Sequence, residues 1–321
     1  MTPYPLQFKP EMKERVWGGR ALEQFGFELP PGPIGEAWTI GDHPNGTTTV
    51  INGELSGLGL DQIREQFGET WLGSKFAGSK NGRFPLLIKL LDCNADLSVQ
   101  VHPTDEYKRL PAGELGKTEM WYVIDAQPGA KIVYGLKEGM TREAFMTAIN
   151  ENRIMDTMCE VIAKPGDTFY IPAGTVHALC AGVLVAEIQQ NSDTTYRLYD
   201  YNRSGLDGKP RELHVEDSLE VINYDNAGAF RTESDITTTN QWVNLASSDY
   251  FVTDKAIVSG SWPLVTDPSS FTIVIVVAGT GTLRWSEGEI SLRPGNCFLL
   301  PANLGEYTLE GDFTVLQSRL P

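Results

Sequence analysis

Apolar residues along this 321-residue chain recur mostly with period two, or in short runs broken by Gly and Pro. That is the pattern of short β-strands joined by turns. Runs such as Arg15-Val16-Trp17-Gly18-Gly19 and Gly35-Glu36-Ala37-Trp38-Thr39-Ile40 predict strands and loops through the first 57 residues. Residues 84–201 and 242–320 are strand-like almost throughout. Helical spacing is confined to residues 60–76, where Ile63, Phe67 and Trp71 share a face, and to 141–149, where Thr141 can cap the turns that follow. The expected fold class is mostly β with a few short helices.

One stretch recurs. Gly166-Asp167-Thr168-Phe169-Tyr170-Ile171-Pro172-Ala173-Gly174 reappears as Gly295-Asn296-Cys297-Phe298-Leu299-Leu300-Pro301-Ala302-Asn303, and Lys164-Pro165 is echoed by Arg293-Pro294. Two copies of one β unit account for this. The polar stretch 226–240, rich in Thr and Asp, lies between them and reads as a linker. It divides the chain into domains at 1–235 and 236–321, with the strands of the second copy starting near Gln241.

Composition changes this picture little, since 41% hydrophobic residues suffice for a core and the 32 Gly and 19 Pro supply the turns. Charge removes some functions. A net charge of -16 leaves no basic face to neutralise a run of nucleic-acid phosphates, although a few focused cations could still hold a small anion. No apolar run reaches membrane-spanning length and the N-terminus lacks a signal-peptide pattern, so no membrane partner is expected. The scattered cysteines Cys93, Cys159, Cys180 and Cys297 read as reduced thiols, and the expected compartment is the cytoplasm.

Candidate chemistry lies on three strands of the first copy. In Leu97-Ser98-Val99-Gln100-Val101-His102, alternation puts Ser98, Gln100 and His102 on one face. In the strand beginning at Lys117, the same rule puts Lys117, Glu119 and Trp121 together. His177 closes a G-x5-P-x-G-x2-H run from Gly166, where Gly and Pro turn the chain so that the histidine points between the sheets. Buried polar groups need partners, and a metal ion supplies one to Gln100, His102, Glu119 and His177. Ligand type alone does not settle the metal. Lys89, in the apolar run from Phe84 to Leu91, must meet an anion, either a ligand or a structural partner such as Asp92; Lys117 has Glu119 as its structural alternative. His43 and His214 carry no partner motif and read as structural or surface residues. The second copy has Glu306 where a histidine would be needed and no Q-x-H strand, so it is expected to be metal-free.

The G-x5-P-x-G-x2-H run resembles the second signature of the cupin superfamily, which implies two jelly-roll β-barrels. Residues 97–103 (LSVQVHP), 117–120 (KTEM), 172–177 (PAGTVH) and 187–197 (EIQQNSDTTYR) look like successive motifs of type I mannose-6-phosphate isomerases in their short bacterial form. RVWGG at 15–19 and HPNG at 43–46 are also similar. The resemblance implies one Zn2+ per chain on Gln100, His102, Glu119 and His177, and Arg197 as the essential catalytic arginine. It places Ser98, Lys89, Lys117 and Arg197 around a sugar-phosphate substrate and Glu187 near the metal. The general base stays open between Glu187, Lys117 and a zinc-bound hydroxide. The rival readings are a metal-dependent cupin dioxygenase, against which the Gln ligand and nearby cations argue, and a non-catalytic sugar-binding cupin. Oligomeric state is left open.

Overall fold

The computed structural model describes residues 1–78, 81–225, 231–232 and 236–321, and these are mostly β, as the period-two pattern predicts. A seven-stranded sheet and a five-stranded sheet face each other in the first half of the fold, and an eight-stranded sheet curls over itself in the second. Neither half closes into a continuously bonded barrel; both are jelly rolls of the cupin type.

Alternation decides which side chains meet. In the fully buried strand Leu86–Cys93, Leu86, Ile88 and Leu90 point to a core shared with the second half, while Lys89, Leu91 and Cys93 point into the first jelly roll. Glu119–Ala126 and Val183–Gln190 repeat the division. Met120, Tyr122, Ala186 and Ile188 join the shared core, and Trp121, Val123, Val183 and Val185 face inward. The shared core also takes Ile273, Leu299 and Leu316, so the two halves are packed back to back through apolar side chains. The first strand, Leu6–Lys9, pairs with Cys297–Leu300 and with Thr49–Val50, and so belongs to the sheet of the second half.

Helix α1 spans Leu60–Leu72 rather than continuing to Phe76. Gly73, with φ of 87°, ends it where the chain passes against the backbone of Ser269 and Ser270, too close for a Cβ. A single 3-10 turn, Ser74–Gly78, follows. Helix α2, Arg142–Asn150, is capped as expected, Thr141 Oγ1 accepting from the Ala144 N–H at 3.2 Å. Helix α3, Val215–Val221, was not expected. Of the linker 226–240, residues 226–230 and 233–235 lie outside the described residues.

Candidate active site

Pairing register collects the polar inward positions into one place. His177 stands opposite Gln100, Gln189 opposite Glu119, and Glu187 opposite both Trp121 and Lys89. His102, Glu119 and His177 are each at most 1% exposed, and their ligand atoms lie within 4.8 Å of one another.

Both imidazoles are held in one tautomer. His102 Nδ1 donates to the Thr194 carbonyl at 2.9 Å, and His177 Nδ1 donates to the Thr175 carbonyl at 2.8 Å. Each Nε2 therefore keeps its lone pair. His102 Nε2 lies 3.5 Å from Glu119 Oε2, and His177 Nε2 lies 3.3 Å from Glu119 Oε1. His102 Nε2 and both carboxylate oxygens of Glu119 are buried without a hydrogen-bond partner. Three acceptors facing one another in a dry site is costly unless a cation lies between them, so the donor set fits a metal ion. The Gln100 amide nitrogen sits 3.3 Å from His177 Nε2, and turning that amide over would present its oxygen instead. Burial pushes the Glu119 carboxyl up to about 7, against the pull of Lys117, and pushes His177 down to about 4. Burial, with Lys117 beside it, also holds His102 well below the usual histidine range. These three side chains by themselves thus disfavour the imidazolium forms of His102 and His177 and the carboxylate form of Glu119.

Beside these groups runs a chain of alternating charges. Lys89 Nζ is 3.0 Å from Glu187 Oε1 and 3.8 Å from Glu36 Oε2, while Lys117 Nζ is 3.2 Å from Glu119 Oε2. Trp121 Nε1 donates to Glu187 Oε2 at 2.8 Å. Burial opposes ionisation of Lys89, but Glu187 and Glu36 outweigh it and raise its pKa above the ordinary lysine value. Burial likewise acts against ionised Glu187, and Lys89 and Lys117 outweigh it and hold the carboxyl below its ordinary value. Lys89 therefore has the anionic partner its apolar strand demanded, and that partner is Glu187 rather than Asp92. Arg197 anchors through Nε to Ser98 Oγ at 3.2 Å and through Nη1 to the Glu212 carbonyl at 2.8 Å. An open cavity of about 570 Å³ is lined by Lys89, Ser98, Gln100, Lys117, Glu187 and Arg197.

Every residue expected to share a site is thus brought to one cavity or its floor. Glu36 was missed. Its carboxylate, 7% exposed, accepts from Arg15 Nε at 2.6 Å and from Trp38 Nε1 at 2.6 Å, and it lines the same cavity. A lone carboxylate in the run GEAWTI is the same signal that exposed Lys89. Gln189 was also passed over; fully buried, it donates to the Gln190 and Ser192 carbonyls at 2.7 and 2.6 Å and orders the turn after its strand. His43 is structural as expected, though buried at 2% exposure: its Nδ1 accepts from the Asn45 N–H and its Nε2 faces Glu114 at 3.1 Å. His214 accepts from the Arg197 N–H at 3.3 Å, bracing the strand that carries the arginine.

Comparison with known proteins settles the family. Residues 6–127 match the phosphomannose isomerase type I catalytic domain and residues 242–320 match the mannose-6-phosphate isomerase cupin domain. The chain is 43% identical to mannose-6-phosphate isomerase ManA of Bacillus subtilis, with all of both chains covered. It belongs to the type I mannose-6-phosphate isomerase family. The crystal structure of the mannose 6-phosphate isomerase from Bacillus subtilis superposes with a TM-score of 0.85 at 37% identity, over 98% of this chain and 99% of that one. A putative mannosephosphate isomerase from Archaeoglobus fulgidus, at 22% identity and a TM-score of 0.80, shares the fold. Membership makes the chain an aldose–ketose isomerase, an intramolecular oxidoreductase. No helix among the described residues is long and apolar enough to cross a membrane.

Proposed function

We propose that the chain interconverts D-mannose 6-phosphate and D-fructose 6-phosphate in the cavity above His102, Glu119 and His177, with one zinc ion held by those three side chains and Gln100. The observation that carries this is the convergence of two neutral imidazole lone pairs and a carboxylate, whose ionic partner Lys117 lies at its edge, at one buried point. A zinc ion there supplies Lewis-acid charge to stabilise the oxyanion that develops as the open-chain sugar passes through an enediolate.

The remaining work falls to the chain's own side chains. The reaction moves a proton between C1 and C2, and Glu187, kept ionised by Lys89 and Lys117, is suited to accept it. Lys117 is placed to donate. Arg197, its guanidinium fixed by Ser98 and the Glu212 carbonyl, presents a planar fork to a phosphate or enediolate oxygen. Lys89, Lys117, Arg15 and Arg197 line the cavity and give an otherwise acidic protein a local field for a sugar phosphate. Four free cysteines suit a reducing cytoplasm.

Metal analysis of purified protein and a coupled assay with mannose 6-phosphate test the proposal. Chelation should abolish turnover and added Zn2+ should restore it. Full activity in a metal-free preparation sinks it.

A further inference from the structure

The second jelly roll repeats the first pairing by pairing, so register identifies which residue stands at each inward position. In the first, Glu119 faces Ile171 and Trp121 faces Phe169; Trp121 also faces Glu187, Glu187 faces Lys89, and Lys89 faces Trp38. In the second, Thr272 faces Leu300 and Val274 faces Phe298; Val274 also faces Gln317, Gln317 faces Asp254, and Asp254 faces Asn244. Thr272 therefore stands where Glu119 does, Gln317 where Glu187 does, and Asp254 where Lys89 does. Two residues along each strand, Arg319 takes the place of Gln189 and Trp242 that of Glu36.

These positions have not collapsed into an apolar plug. They surround an open cavity of about 610 Å³ whose walls include Trp242, Leu264, Thr272, Tyr307, Gln317 and Arg319. Its polar groups are already ordered. Asp254, 5% exposed, accepts from Asn244 Nδ2 and Gln317 Nε2, each at 2.9 Å, and from Arg319 Nη1. Apolar and aromatic walls with a few fixed polar groups make a small-molecule site. The Trp242 ring on the wall, backed by Trp262 at 5.0 Å and tilted by 43° to it, offers an apolar face for the C–H face of a sugar ring, and the amide, hydroxyl and guanidinium groups match its hydroxyls. Charge selects further. Among the described residues Arg319 is the one cation lining this cavity, against Asp267 and Glu306 on the wall and Asp254 beneath, whereas the first cavity is lined by five cations and five carboxylates. A phosphate dianion therefore meets a net negative lining here and a balanced one, rich in cations, in the first cavity.

We infer that the second jelly roll binds an unphosphorylated sugar in the cavity between Trp242 and Arg319, as a site separate from the isomerase centre. Saturation-transfer NMR and calorimetry on the full metal-loaded protein, with methyl α-D-mannopyranoside as probe, test it in the presence of saturating mannose 6-phosphate. That probe carries no phosphate and its closed ring cannot be isomerised. Saturable binding by about 10 mM is expected. Trp242→Ala should weaken it about tenfold and Trp242→Phe, which keeps the packing, about threefold. Both should leave turnover of mannose 6-phosphate unchanged, which also reports that they fold. Binding that vanishes when mannose 6-phosphate is added, binding indifferent to both variants, or no binding at that concentration would each overturn the inference.

Discussion

The two jelly rolls differ most at the few inward positions where their strands correspond. The first places Lys89, Glu119 and Glu187 there and holds each by an opposite charge; the second places Asp254, Thr272 and Gln317 there, with Asp254 accepting from Asn244, Gln317 and Arg319. The turn between the strands is nearly the same in both, a Gly, five residues and a Pro. The contrast teaches that the scaffold is indifferent to the chemistry it carries. A handful of side chains that the strand period turns inward decides whether the interior gathers a cluster of ionised groups or carries amide and hydroxyl groups around the Asp254–Arg319 pair.

The sharpest way to break the comparison is to remove either of the two imidazoles that face Glu119. His102→Ala and His177→Ala should each lose metal, with activity down more than about a hundredfold, as metal analysis beside the coupled assay will read. Retained metal in either variant would mean that the donor set is not the one described. A smaller effect is expected from Arg197→Lys. Fold and metal content should persist while turnover falls roughly a hundredfold, because an ammonium cannot replace a planar two-point contact with an oxyanion. Near-normal kcat would remove Arg197 from the chemistry.

The charge chain itself gives the third prediction. Burial opposes ionisation of Glu36, but Lys89 and Arg15 hold its carboxyl down at about 2, from an ordinary value of 4.5. Because the folded value is the lower one, the stabilisation is complete above pH 4.5 and is lost as the pH falls toward 2. Glu36→Gln should therefore cost about 3 kcal/mol in urea unfolding at pH 7, with the gap from the parent protein closing toward pH 2. A gap that does not change with pH would show that Glu36 acts through packing alone. Smallest of all is Glu306→Ala in the second half. This exposed side chain should shift stability by no more than about 0.5 kcal/mol and leave metal content and activity untouched.

What the sequence reveals of these features follows from how local the signal is. Lys89 and Glu119 stand out because a charge inside an apolar strand contradicts its surroundings within a few residues, and His177 because turn residues fix where the next strand begins. Glu36 gives the same contradiction, but in a segment full of Gly and Pro whose burial depends on Leu86–Cys93 covering it from fifty residues away. Asp254 and Gln317 give almost none, since each is an ordinary polar residue in an alternating strand. Their meaning emerges only when register sets them side by side. Helix α3 escapes notice because seven residues hold too little of a 3.6-residue period, and its packing on Tyr196–Tyr199 has to supply the rest. The end of α1 depends on a backbone nearly two hundred residues later.

The pairing of Leu6 with Leu299 also has a consequence for how the molecule is made. A ribosome releases the strand Leu6–Lys9 long before it has synthesised Cys297–Leu300, so the first jelly roll can assemble while this strand is paired on one edge only, to Thr49–Val50. Its hydrogen bonds to Cys297–Leu300 can form only after nearly the whole chain has emerged, and bringing such distant residues together makes the step a slow one. Until then the nascent protein carries an open strand edge, the kind of surface that invites pairing with a neighbouring copy on the same messenger.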